Sequence, residues 1–201
     1  MRGFSQDERS QIEADLLAVA RAQFGRHGLE RTRIKDITDE VGIGTSTFYQ
    51  FFESKEALYL RALLEEYEEL LTRIETEVEA IEDPREQFKR TLTMVFDEVE
   101  SNPLISRLIV DGDLRLLESS LTEVDDGTVP DRSDFRHIPQ IEDWAQDPAF
   151  RIDDPTVVSG VIHALVFSTR SKSTLEDSDA AYEDVRSVLI DIVVDGFFPS
   201  V

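Results

Sequence analysis

The chain has 201 residues, of which 40% are apolar and 32% charged, and carries a formal net charge of −22 at pH 7. That apolar content is too high for a disordered chain, and the length holds one large domain or a small one joined to a larger. There is no cysteine, so disulfides, thiolate chemistry and Cys-based zinc sites are excluded.

The N-terminal stretch MRGFSQDERSQIEADLL mixes charges freely and lacks the apolar centre of a signal peptide. The longest nearly apolar run, VVSGVIHALVF at 157–167, is too short for a membrane span, which needs roughly 20 residues. A reducing cytoplasm is the expected compartment, with no membrane partner. Charge is unevenly spread. Residues 1–60 hold eight Lys+Arg against ten Asp+Glu, and residues 61–201 hold thirteen against thirty-three. The acidity therefore belongs mainly to the C-terminal part, while Arg26, His27, Arg31, Arg33 and Lys35 form a local basic group. Four lysines stand against seventeen arginines. An Asp/Glu-rich, Lys-poor surface suits a salt-loving cytoplasm, where net charge maintains solubility; an acidic mesophile is the other reading.

Helical periodicity runs through almost every segment and no alternating strand stands out, so the fold is expected to be all-α with about nine helices. The first spans 7–27, with Ile12, Leu16, Val19, Ala20 and Phe24 on one stripe and Gly28 as its stop. A short helix over 33–40 follows, broken by Gly42, and another over 45–51. Ser54 then caps a long helix running to Ile81, with Glu56 in its acidic first turn. Beyond it come helices at 84–101 and 103–121, the latter opened by Pro103. The polar segment 122–134 reads as a loop. A short helix near 138–147 holds Trp144, and two final helices cover 155–175 and 178–197, ending at Gly196.

The segment VGIGTSTFYQFFESKEAL, 41–58, carries the functional signal. At 100° per residue, Phe48, Phe51 and Phe52 share one core-facing third of the third helix. Thr45, Ser46, Tyr49 and Gln50 lie opposite, with Thr47 at the flank. Gly42 and Gly44 allow a tight turn between two short helices, with Ile43 plugging the gap beneath. Helix, short glycine-containing turn and helix make a helix-turn-helix, whose second helix enters the major groove of DNA while the first crosses the backbone. Arg33 and Lys35 open the first helix of the pair and Lys55 opens the long helix after it, within reach of phosphates. Thr45, Ser46 and Gln50 are the candidates for reading bases.

From Ile12 to Leu63 the chain resembles the DNA-binding domain of TetR/AcrR-type transcriptional regulators. The residues that carry the resemblance are Phe24, Gly28, Thr32, Asp36-Ile37, Val41-Gly42-Ile43, Thr47-Phe48-Tyr49, Phe52 and Ser54-Lys55-Glu56. The resemblance implies an all-α homodimer whose last two helices form a four-helix bundle across a two-fold axis, and a pocket for a small-molecule effector among the middle helices. By matching position, it implies phosphate contacts from Thr47, Tyr49 and Lys55, a backbone or base contact from Lys35, and base-facing roles for Thr45, Ser46 and Gln50. Gly44 departs from the usual Ser or Thr cap, and Gln50 from a common aromatic; its amide is able to pair with adenine.

The expected domains are a helix-turn-helix unit at 1–54 and a helical effector-binding and dimerisation unit at 55–201. Candidate pocket residues are Phe96, Arg107, Trp144 and His163, with Asp111, Asp113, Arg136 and His137 also in that segment. His163, inside an apolar run, also fits a hydrogen-bonded core residue. Val157, Val158, Val161, Ile162 and Leu165, with Val185, Val188, Leu189, Ile192 and Val193, form two wide apolar stripes that fit a dimer interface or packing on their own domain. Asp111 and Asp113 alone make a weak metal set, and no nucleophile–base pair or phosphate loop presents itself, so no enzyme, metal or cofactor is expected. The sequence thus points to a ligand-responsive DNA-binding regulator, a repressor acting on a palindromic operator. Its rival is an acidic helical interaction module that no longer binds DNA.

Overall fold

A computed structural model of the chain describes residues 4–111, 138, 140–172 and 181–199. Two compact units divide it, bounded at Met1–Glu66 with Asn102–Asp131 and at Tyr67–Ser101 with Arg132–Val201. Among the described residues all regular structure is helical: α1 Gln6–Arg31, α2 Ile34–Val41, α3 Thr45–Phe48, α4 Lys55–Val78, α5 Pro84–Ser101, α6 Pro103–Ser106, α7 Gln140–Ala145, α8 Pro155–Phe167 and α9 Tyr182–Phe197. The rest of the expected 103–121 helix beyond Asp111, the 122–134 loop, and Asp113, Arg136 and His137 lie outside the described residues, as does 173–180.

In the first unit, α1 begins with a reciprocal cap. Ser5 Oγ accepts from the Glu8 N–H at 3.3 Å while the Ser5 N–H donates to the Glu8 carboxylate at 2.8 Å. That bond holds the Glu8 carboxyl below its ordinary pKa. The expected stop at Gly28 is a kink: with φ 77° and ψ 170° it occupies backbone space that only glycine enters freely, and one more turn continues to Arg31. Thr32 closes the helix by donating its hydroxyl to the Gly28 carbonyl at 2.7 Å. Just before the kink, the Arg107 guanidinium donates to the Gly25 and Arg26 carbonyls at 3.4 and 3.0 Å. Arg107 opens a single π-turn, Arg107–Asp111, that follows α6. The α6 turn approaches α1 so closely that a Cβ on Gly25 would meet the Pro103 Cβ at 3.1 Å. Arg21 joins α1 to α4 through Glu65 and Glu66 at 3.0 and 3.2 Å. The core is Leu16, Ala20, Phe24, Ile37, Phe48, Leu58, Tyr59 and Leu63, all essentially inaccessible, with Phe24 edge-on to Tyr59 at 4.8 Å.

The second unit is built from the C-terminal part of α4 with α5, α7, α8 and α9. Leu70, Ile74 and Val78 of α4 pack with Met94 of α5. Phe88 is the centre of an aromatic group, with Trp144 at 5.1 Å, Phe197 at 5.2 Å and Phe150 at 5.8 Å between ring centroids. Asp154 caps α8 by accepting from the Thr156 N–H at 2.9 Å, and Pro155 takes the first helical position. A ladder of ion pairs ties α9 to α5: Lys89–Asp191 at 2.7 Å, Arg85–Asp195, and Arg186 with Asp97 and Glu100. The last helix runs through Gly196 to Phe197.

Candidate nucleic-acid interface

The turn between α2 and α3 forms as the glycine spacing requires. Gly42 adopts the left-handed region with φ 82° and ψ 27°, and the N–H groups of Gly42 and Ile43 both donate to the Thr38 carbonyl, at 2.9 and 3.0 Å. Gly44 then occupies the N-cap of α3 without a side-chain bond. The recognition helix is shorter than its pattern suggests: one α-turn over Thr45–Phe48, continued by turns in which Gln50 donates to Thr47 and Phe51 to Phe48, each at 2.9 Å. With no side-chain acceptor at the start and so short a run, the segment relies on its aromatic anchors. Phe48 is fully buried and Phe52 nearly so. Ser54 accepts from the Ala57 N–H at 3.0 Å and starts α4.

The opposite face is open. Thr45, Ser46 and Gln50 are exposed, Thr47 is half-buried, and the Tyr49 ring stands 56% exposed while still edge-on to Phe48 at 5.3 Å. Arg33 is exposed at the N-terminus of α2, and its backbone N–H donates to Asp36 at 3.2 Å. Lys55 is half-buried at the first position of α4. Of the candidate cations, Lys35 alone forms an ion pair among the described residues: its ammonium meets the Asp39 carboxylate one turn on, at 2.5 Å, and that bond raises its pKa. The sequence pattern did not single out Arg9. Its guanidinium, on α1, donates to the Gln50 carbonyl at 3.1 Å and lies 4.8 Å from the Phe51 ring centroid. A pairing across 41 positions has no local signal to reveal it.

The candidate pocket residues fall in both units. Phe96, Trp144 and His163 belong to the second. Phe96 is buried beneath the Arg186 guanidinium, 5.4 Å from the ring centroid. Trp144 is buried and donates its indole N–H to the Gln87 side-chain carbonyl at 3.2 Å. His163 is half-buried in α8. Arg107 belongs to the first unit, where it caps the α1 carbonyls. Among the described residues, no group of three or more His, Asp or Glu side chains is placed to hold a metal ion, and no helix is long and apolar enough to cross a membrane.

A helix, an αL glycine turn and a short helix with a polar, uncovered face define a helix-turn-helix module of the kind that reads the DNA major groove. Residues 16–62 match the family described as bacterial regulatory proteins, tetR family, and the chain carries a TetR-family domain over that span. It is 30% identical over 104 residues to an uncharacterised HTH-type transcriptional regulator, YuxN of Bacillus subtilis, covering 51% of this chain and 36% of that one. It is also 30% identical over 86 residues to the HTH-type transcriptional repressor KstR2 of Mycobacterium tuberculosis, covering 43% of each. The chain thus spans less than half the length of these two relatives. Among solved structures, RolR in complex with resorcinol superposes with a TM-score of 0.68 at 16% identity, over 96% of this chain and 90% of that one. At that identity the likeness is one of fold, and it extends through both units.

Proposed function

We propose that the protein is a ligand-responsive transcriptional regulator, a repressor, that binds a palindromic operator as a homodimer. The observation that carries this reading is the uncovered polar face of Thr45, Ser46, Tyr49 and Gln50 within a TetR-family domain. Residues 1–54 would read DNA and residues 55–201 would bind effector and dimerise. Thr45, Ser46 and Gln50 face base edges; Thr47, Tyr49, Arg33, Lys35 and Lys55 hold phosphates, which fix register without reading sequence. KstR2 supports the repressor sense through its described role.

Dimerisation is supported by the uncovered apolar side chains of the last two helices. Val157, Val188 and Ile192 are 46%, 55% and 60% exposed, with Val161, Val185, Leu189 and Val193 half-covered beside them. Single exposed apolar residues are ordinary, but several of them on each of two helices are the pattern of an interface. An isologous contact there would present two reading helices to successive major grooves, about one helical turn apart.

A small-molecule effector is supported by a solved neighbour, RolR, that holds resorcinol, and by one costly atom in the second unit. The Thr91 hydroxyl is fully buried and has no hydrogen-bond partner among the described residues. An unsatisfied buried hydroxyl costs about 1–3 kcal/mol, which a bound acceptor would recover. Phe96, Trp144 and His163 are the proposed pocket residues of the same unit, with the Phe96 and Trp144 rings buried within it; Arg107 carries its cap on α1 instead. Effector binding would favour a dimer state whose reading helices no longer match groove spacing, by no more than its differential affinity for the two states.

The acidic surface and the lack of a long apolar helix among the described residues fit a cytoplasmic protein of a salt-adapted cell. The test is an electrophoretic mobility shift with operator DNA. Tyr49→Ala and Lys55→Ala are each expected to weaken binding about tenfold or more, Lys55→Ala with a salt slope shallower by about 0.9. Unchanged binding in both variants would overturn the reading in favour of a helical module that does not use this face.

A further inference from the structure

The cations of the first unit fall into two groups. Lys35 is committed to Asp39, and Arg21 to Glu65 and Glu66. Arg9 is exposed and forms no ion pair among the described residues, yet it is fixed in place by two contacts with the recognition segment. Its Nη2 donates to the Gln50 carbonyl at 3.1 Å, and its guanidinium carbon lies over the Phe51 ring, 4.8 Å from the centroid. Phe4, from the chain just before α1, packs on the same Phe51 ring at 6.3 Å. The Gln50 carbonyl sits at the C-terminal end of the α3 segment, where carbonyls lack helical donors and partial negative charge collects. A guanidinium there satisfies both.

We propose that Arg9 is a DNA-contacting residue: a phosphate ligand delivered from α1 and pinned by its own bonds beside the base-facing side chain of Gln50. A guanidinium has five N–H donors in a rigid fork. The bond to Gln50 uses one, and the remainder stay available on an exposed side chain. The backbone whose carbonyl Arg9 holds belongs to the residue best equipped to read adenine, so one side chain fixes the orientation of the reader and anchors the phosphate beside it. The cation–π contact with Phe51 restricts the rotamer freedom that makes an ordinary surface arginine a poor ligand. The contact extends the DNA-facing surface beyond the helix-turn-helix to the start of the chain's first helix. It rests on the DNA-binding reading above.

The two roles separate in salt titrations. The full-length protein and its Arg9→Gln, Arg9→Lys and Tyr49→Ala variants are titrated with a duplex recovered by the wild-type protein from a random-sequence library, from low to high salt. A phosphate contact predicts that Arg9→Gln loses affinity on the order of tenfold and that its plot of log affinity against log salt is shallower by about 0.9. Arg9→Lys keeps the wild-type slope because the charge remains. Unfolding curves of the variants, expected to match wild type for so exposed a side chain, exclude loss of folding as the cause. If Arg9→Gln keeps the wild-type slope while Tyr49→Ala loses binding, Arg9 is not a phosphate ligand and only the inference fails. If Tyr49→Ala also binds as wild type, the recognition face itself is misplaced and both readings fail together.

Discussion

Tyr49 in α3 and Ile192 in α9 are almost equally exposed, at 56% and 60%, but their surroundings differ in what has been used up. In the unit that holds Tyr49 cations remain: Arg9, Arg33 and Lys55 form no ion pairs among the described residues, and the exposed side chains beside Tyr49 on its own segment are hydroxyls and an amide. Around Ile192 the charges are spent. Asp191 and Asp195, flanking it on α9, turn toward Lys89 and Arg85 of α5, so what is left outward is Val188 and Ile192. Uncovered polar groups beside unpaired cations suit a polyanion, whereas an uncovered apolar row whose neighbouring carboxylates are neutralised suits a like surface. Net charge alone teaches the opposite, since a chain at −22 looks unfit for DNA. The pairing of each charge decides the matter, and pairing is local.

The largest expected effect breaks the apolar side of that comparison. Ile192→Glu would place a carboxylate in a desolvated contact against its own copy, at a cost of about 3 kcal/mol or more, over 100-fold in the dimer constant. Sedimentation velocity at micromolar protein is expected to show a dimer for the wild type and a monomer for the variant, with operator binding lost in parallel. A variant that sediments as the wild type would mean the α8–α9 face is covered by something other than a second copy. The next effect tests the frame that carries the polar side. Gly28→Ala forces a Cβ onto φ 77°, ψ 170° at a buried kink, and is expected to cost about 1–3 kcal/mol of stability, read as a lowered denaturation midpoint.

How much of this was legible in the sequence follows the range of the interactions. The anchors Phe48 and Phe52, the open face of Thr45, Ser46, Tyr49 and Gln50, the turn at Gly42 and the cap at Ser54 all rest on contacts within a few residues, and periodicity exposes such contacts. The end of α3 was not legible. Its apolar spacing suits a helix to 51, yet a run so short with only a glycine cap closes early into turns. Nor could Gly28 reveal that the helix resumes after it, because that depends on the Thr32 hydroxyl folding back. Arg9 on Gln50 and Arg107 on Gly25 and Arg26 each join residues dozens of positions apart, and both donate to carbonyls that the local pattern does not mark out. The positions that escaped are thus arginines serving distant helix ends.

The smallest expected effect sharpens the polar side of the comparison. Unlike Arg9, Arg33 and Lys55, Lys35 has an ion-pair partner one turn away, with Lys35 and Asp39 side chains 72% and 63% exposed. A surface pair of this kind contributes little to stability, and screening weakens it further. Its consequence lies in binding: a phosphate that recruits Lys35 must displace Asp39, so the gain in attraction is offset by the loss of the pair and by a carboxylate left near the DNA backbone. Asp39→Asn removes that competition. Operator affinity at low salt is expected to rise several-fold, and the dependence of log affinity on log salt to steepen by up to about 0.9, with the two proteins converging as salt is raised. The carboxylate would then act as a built-in counter-ion that flattens the response of DNA binding to salt, a useful property where salt is abundant. Parallel titration lines for wild type and Asp39→Asn would show instead that Lys35 keeps its carboxylate on DNA and contributes no phosphate contact.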